Sequence, residues 1–138
     1  LDIGSGAGFP GLVLSIITDN QVTLVESDQR KSVFLQTVIR ELGLTATVRN
    51  ERIEAIPALG ADIVTARALA SVERLLLLLD RQSPSVERCL FLKGASLQEE
   101  LTALQSYPNM VHRIHPSVTS QDGAILELNT THHPDLEL

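Results

Sequence analysis

Tryptophan is absent from this 138-residue chain, and aromatic residues make up only 3% of it. A surface that stacks successive bases of a single nucleic-acid strand needs several such rings, so the composition argues against one. Cysteine occurs once, at Cys89. A lone cysteine excludes an internal disulfide and fits a reducing compartment. The opening residues show no charged leader with an apolar core and cleavage site. The longest apolar run, residues 75–79, is far shorter than a membrane-crossing helix requires. A cytoplasmic protein with no membrane partner is therefore expected. Basic residues are also in deficit: 11 Lys and Arg face 17 Asp and Glu, for a net charge of -6. A nucleic-acid binder ordinarily shows a basic patch, so this balance counts against RNA or DNA. Eleven basic residues can still form such a patch if they share one face. The first residue is Leu1 rather than methionine, within a strand-like run too short to start a domain. A fragment lacking its amino-terminal part is expected.

What is present reads as one globular domain. Apolar residues make up 43% and charged residues 20%, as in ordinary soluble proteins. Strand-like and helix-like segments alternate. Strands are expected at residues 1–3, 22–25, 46–49, 61–66 and 89–92, with helices at 10–18, 27–42, 71–79 and 97–104 and a helical turn at 53–56. In the helix at 27–42, helical spacing places Val33, Phe34, Val38, Ile39 and Leu42 on one apolar face, and Gly43 is a suitable stop. Strands at 110–115 and 124–128 then follow each other with only a turn between them. Alternation predicts a parallel sheet covered on both faces, and the short last connection predicts an antiparallel pair at one edge. The fold class is α/β, Rossmann-like, with seven strands, mostly parallel, and the last antiparallel. Residues 1–129 form the domain and 130–138 a tail.

The first strand runs into LDIGSGAGFPG, with glycines at Gly4, Gly6, Gly8 and Gly11. A glycine-rich turn between the first strand and helix of such a sheet lets a ligand approach the backbone closely. Glu26 stands at the end of the second strand, where an acid can accept hydrogen bonds from a ribose. Two registers compete. Gly6, Gly8 and Gly11 spell the dinucleotide fingerprint G-x-G-x-x-G. Asp2, Gly4, Gly6 and Gly8 spell D-x-G-x-G-x-G, which looks like the first motif of S-adenosylmethionine-dependent methyltransferases. A carboxylate sits poorly beside a pyrophosphate, and Asp2 and Glu26 together favour the methyl donor. An NAD(P)-linked oxidoreductase and a catalytically inactive fragment of the fold remain the alternatives.

Five stretches sharpen the resemblance: DIGSGAGFPGLVLSI, VTLVESDQRKSVFLQTV, RIEAIP, TARALASVERLL and FLKG. Together they resemble the bacterial small-subunit ribosomal RNA methyltransferase G family, also called glucose-inhibited division protein B. The G-F-P-G ending of the loop and the R-A-x-A-S segment are its distinctive parts. The resemblance implies methylation of guanine N7 in the 530 loop of 16S ribosomal RNA (16S rRNA), with S-adenosylmethionine as methyl donor. It also implies an amino-terminal helical extension that is not in this sequence. Carried over residue by residue, the donor-binding positions are Asp2, Gly4, Gly6, Gly8, Phe9, Glu26, Ile53, Glu54 and Arg67. Many family members carry aspartate where this chain has Glu26, so the ribose contact is expected to shift. Basic residues near Arg30 and Lys31 are also usual in the family.

Arg67 and Lys93 follow strand-like segments, at the edge where open α/β sheets bind ligands. A cation there can hold a phosphate or the donor's carboxylate. Arg67 is the expected catalytic-site residue, and Arg67 and Lys93 the expected substrate contacts. Guanine N7 has a lone pair and no proton to lose, so catalysis is expected to come from alignment rather than from a general base. No metal site is expected: His112 and His115 lack ligand spacing, and His132 and His133 lack a third partner. Asp62 is expected to be structural, and the protein to act as a monomer.

Overall fold

A computed structural model describes residues 1–67, 70–82 and 85–130. In chain order the elements are β1 (Asp2–Ile3), α1 (Gly11–Ile17), β2 (Thr23–Val25), α2 (Gln29–Leu42) and β3 (Thr47–Arg49). A 3-10 turn at Ile53–Ala55 leads to β4 (Ile63–Arg67), α3 (Val72–Gln82) and β5 (Arg88–Lys93). Then come α4 (Leu97–Glu100), β6 (Met110–Pro116) and β7 (Ala124–Thr130). The helix expected over 97–104 is α-helical only through Glu100 and continues as a 3-10 segment, Leu101–Ser106. Thr130, assigned to the tail from sequence, is the last residue of β7 and donates its N–H to Glu87 O. His132 and His133 lie outside the described residues.

The seven strands form one sheet in the order β3-β2-β1-β4-β5-β7-β6. Pairing is parallel from β3 through β5, and β7 runs antiparallel to both its neighbours. The strand β1 lies between β2 and β4, with Asp2 opposite Leu24 on one side and Thr65 on the other. The chain thus leaves β1 toward one half of the sheet and later returns to build the other half from β4. A crevice opens at such a reversal, outside the carboxyl ends of the strands.

Two apolar cores lie on opposite faces. Leu24 belongs to one and its neighbour Val25 to the other, as strand alternation requires. The smaller core joins Leu12 of α1 and Leu35 of α2 to Val22, Leu24 and Ala46. The larger places Leu75, Leu76 and Leu79 of α3 against Val64, Phe91 and Leu126. Removing a wholly buried leucine such as Leu76 to alanine costs about 2–5 kcal/mol in comparable cores.

The helix α2 corrects the expected apolar face. Ser32 and Leu35 are its buried residues, while Val33, Phe34 and Leu42 are about half exposed. The physical reason is rotation: Ser32, small enough to approach the sheet, and Leu35 face inward, with Val38 and Ile39 at the margin. A pattern counted from large apolar residues alone misses a helix that seats a serine against its sheet. The expected stop is followed, with Gly43 ending the helix at φ 63°. The start falls at Gln29 rather than at residue 27, because Asp28 caps the helix by accepting a hydrogen bond from Lys31 N at 3.0 Å.

Cys89 is buried within β5, and burial pushes its thiol up to about 12. It packs as an apolar residue. Asp62 precedes β4, and its carbonyl accepts the N–H groups of Glu87 and Arg88.

Candidate active site

The glycine loop leaves the carboxyl end of β1 and turns sharply into α1. Gly4, Gly6 and Gly8 all adopt positive φ, a region other residues enter at a cost. Gly8 also has no room, since a Cβ there would stand 2.7 Å from Leu12 Cβ. The loop is tied to β2 by two bonds to one acceptor: Gly4 N and Ser5 N both donate to Val25 O, at 2.9 and 3.0 Å.

Glu26 completes the tether. Its Oε1 accepts from Gly6 N and its Oε2 from Asp28 N, each at 2.8 Å. The side chain is nearly buried, and two backbone donors offset the cost of placing a carboxylate there. Asn50, just after β3, donates to the carbonyl oxygens of Glu26 and Ser27. Gly8 N is also satisfied, by Ser5 O at 2.8 Å. The N–H groups of Gly4, Ser5, Gly6 and Gly8 are therefore all engaged within the protein.

Three adjoining cavities line the carboxyl edge of the sheet. The first, of about 220 Å³, has apolar walls from Ile3, Val25, Ile53 and Leu78 and a polar rim that includes Glu54 and Arg74. Arg74 Nη2 donates to Glu54 Oε1 at 3.0 Å across that rim. The second, of about 450 Å³, is the groove along the loop, with Gly6, Phe9, Glu26, Lys31 and Arg67 among its walls. Gly4 and Ser27 line both. The third, of about 580 Å³, lies beyond Arg67 toward Lys93 and the turn before β7. Arg67 lines both the second and the third.

Gly4, Gly6, Phe9, Glu26, Ile53, Glu54 and Arg67, all expected from sequence, thus gather on one edge. Two others do not open onto these cavities. Asp2 faces α1, with its carboxyl group wholly buried. Its Oδ1 accepts from Thr65 Oγ1 at 2.6 Å, while Oδ2 has no hydrogen-bond partner. Burial raises its pKa above the ordinary value, partly countered by the hydrogen bond from Thr65. Gly8 packs on Leu12. Asp2 and Gly8 thus stand behind the loop and hold its shape.

Lys93 borders the third cavity, but its side chain is only 8% exposed. Its Nζ donates to Ala70 O at 2.8 Å and pairs with Glu100 Oε1 at 3.2 Å. Glu100 Oε1 also accepts from Val72 N. The expected substrate contact is an internal brace between β5, α4 and the start of α3. His115 on β6 bonds Glu127 at 2.6 Å, and the described residues hold no cluster of three metal-ligating side chains.

Sequence reading missed Arg74, Ser27 and Asn50. Arg74 lies three residues after Ser71, whose Oγ accepts from Arg74 N at 3.3 Å. That serine cap was legible, and it would have placed Arg74 in the first turn of α3, near the ligand edge.

A family model described as rRNA small subunit methyltransferase G matches residues 1–129. The ribosomal RNA small subunit methyltransferase G of Paramagnetospirillum magneticum is 48% identical over 128 residues, covering 93% of this chain and 62% of that protein. The protein of the same name from Gluconobacter oxydans is 48% identical over 131 residues, covering 93% and 66%. The chain thus spans a little under two-thirds of these relatives. Among solved structures, magnesium protoporphyrin IX methyltransferase from Synechocystis, with bound SAM, superposes with a TM-score of 0.75 at 12% identity, covering 94% of this chain and 68% of that one. A SAM-dependent methyltransferase from Aquifex aeolicus gives 0.71 at 14% identity, covering 94% and 80%. At these identities the likeness is one of fold.

Proposed function

The chain belongs to the rRNA small subunit methyltransferase G family, and on that premise we propose that it transfers a methyl group from S-adenosylmethionine to guanine N7 of 16S rRNA. The observation that carries the choice of donor is the state of the loop. The amides of Gly4, Ser5, Gly6 and Gly8 are already bonded within the protein, so they have nothing to offer a pyrophosphate. The carboxylate of Glu26 would also repel one. A ligand with a ribose, an adenine and a zwitterionic amino-acid end, and no phosphate, suits what remains.

The residues divide the work along the edge. Ile3, Val25, Ile53 and Leu78 form the apolar walls suited to an adenine, with Glu54 and Arg74 at its polar rim. Glu26 and Ser27 stand beside the ribose position, and Gly4 lets the backbone pass beneath it. Arg67, shared by the loop groove and the third cavity, can hold the donor's carboxylate or an RNA phosphate. Lys93 and Asp2 act as positioning residues, one bracing the segment after β4 and the other backing the loop.

S-adenosylmethionine, when bound, supplies an electrophilic methyl group on a positively charged sulfur. The acceptor N7 attacks through its own lone pair and releases no proton, so the protein has no proton to remove. Its contribution is alignment, and orientation of this kind can supply most of a rate enhancement. Action as a cytoplasmic monomer on the small ribosomal subunit is part of the same proposal. Among the described residues, no helix is long and apolar enough to cross a membrane.

Calorimetry tests the donor, and labelled-methyl incorporation into small ribosomal subunits tests the acceptor. Binding of S-adenosylhomocysteine and not of NAD(H), with label appearing at a guanine N7, is expected. Binding of a nicotinamide dinucleotide alone would overturn the proposal.

A further inference from the structure

The third cavity lies across three strand ends. Arg67 closes β4, Leu92 and Lys93 lie at the end of β5, and Asp122 stands in the turn just before β7. Arg67 pairs with Leu92 and Lys93 with Ala124, so the end of β5 separates Arg67 from the turn. Two strand spacings make about 10 Å, the reach of a purine base and its hydrogen bonds. Leu92 and Ala70 add apolar surface to the wall. Glu100 and Asp122 also line it, and their states differ. Glu100 is taken up by Lys93, by Val72 N and by Ser96 Oγ. Asp122 is exposed, and its carboxylate has no hydrogen-bond or ion-pair partner among the described residues. Its turn is braced, with Ser117 N donating to Gly123 O at 2.9 Å and Thr119 N to Ser117 Oγ at 3.2 Å.

We infer that Asp122 reads the Watson–Crick edge of the guanine that receives the methyl group, accepting hydrogen bonds from its N1–H and N2 amino group, which deepens and rests on the function proposed above. Unstacked RNA bases are commonly read along that edge. Guanine alone among the four bases offers two adjacent donors there, and the two oxygens of a carboxylate match them. N7 lies across the ring system from N2. A guanine held at Asp122 therefore turns its imidazole toward Arg67, which the cavity shares with the loop groove. N7 gives its lone pair to the methyl carbon, the S–CH3 bond breaks with its electron pair left on sulfur, and no proton moves. Positive charge passes to the purine, and its N1–H becomes a stronger donor. The bond to a carboxylate tightens as the N7–CH3 bond forms, which favours the transition state over the ground state.

Inosine keeps N7 and N1–H but lacks the N2 amino group, so it isolates this contact. Small ribosomal subunits reconstituted with 16S rRNA carrying guanosine or inosine at the acceptor position are methylated by the unaltered chain and by Asp122→Asn. On guanosine, Asp122→Asn should lower kcat/KM roughly tenfold or more, as loss of a hydrogen bond to a charged group does, with part of the loss in kcat. On inosine the loss should be at most about threefold, and S-adenosylhomocysteine affinity by calorimetry should stay within about twofold. Both proteins meet the same RNA, so any effect of inosine on RNA folding cancels. Equal losses on the two acceptors overturn the inference and leave the carboxylate a part of the turn. So does a fall in KM with kcat unchanged, the behaviour of a surface carboxylate that only repels phosphates. Failure of the unaltered chain to bind S-adenosylhomocysteine is a separate result and removes the parent proposal, and this inference with it.

Discussion

Gly11 lies so close to Asp2 that a Cβ built on it would stand 2.4 Å from Asp2 Oδ2. Leu24 Cδ2 closes the other side at 2.5 Å. The first residue of α1 is therefore pressed against the sheet by a buried carboxyl group and a core leucine, neither of which can yield cheaply. Gly11→Ala is expected to destabilise the fold by about 1–3 kcal/mol or more, the cost of overpacking, despite alanine's better helix propensity. Urea denaturation would show it, and unchanged stability would mean that α1 shifts freely.

Thr65 gives Asp2 a direct hydrogen bond, Oγ1 to Oδ1 at 2.6 Å. Burial raises the Asp2 carboxyl, so the folded chain holds that proton more tightly than the unfolded one. This contribution to stability is fully present below the unfolded carboxylate pKa, about 4, and is lost as pH rises through the folded value. Thr65→Val removes a donor to the charged form. It should cost about 1–3 kcal/mol at pH 7 and distinctly less near pH 3. Equal losses at both pH values, measured by thermal unfolding, would show that Asp2 is uncharged throughout.

Lys93 and Glu100 form a largely buried pair at 3.2 Å. Removing one member leaves the other without its partner, so Lys93→Ala should destabilise by roughly 3–5 kcal/mol. The double variant Lys93→Met with Glu100→Gln should recover part of that loss. If the lysine instead serves RNA alone, Lys93→Ala will unfold like the unaltered protein and fail only in RNA binding.

Arg74 and Glu54 make the opposite kind of pair, with side chains 63% and 39% exposed. Solvent screening leaves it worth less than about 1 kcal/mol to stability. Its place on the rim of the Ile53 cavity matters more. Arg74→Ala should leave the unfolding curve unchanged and weaken S-adenosylhomocysteine binding roughly 2–5-fold. Full affinity in calorimetry would remove Arg74 from the donor site.

The main elements were legible because their signals are local. The loop's glycines, the Gly43 boundary of α2 and the β-branched run of β2 each depend on only a few neighbouring residues. What failed depends on distant partners. Leu35 is buried and Phe34 exposed because of where the sheet lies, and helical spacing alone cannot choose between the two faces. The ends of strands tell the same story for the site. Arg67 and Lys93 are the last residues of β4 and β5, yet among the described residues only Lys93 meets an acid, Glu100, placed there by α4. Sequence could identify both cations and not which of them is already occupied.

Strand β6 meets the sheet only through β7, which runs between it and β5. Strand β6 is therefore unpaired until β7 arrives, with its backbone donors and acceptors left to water. Completion of this edge waits for β7, which must enter with both flanks matched at once. Until then β5 presents an open edge and β6 is unpaired on both sides, the condition in which partly folded chains are most prone to pair with one another.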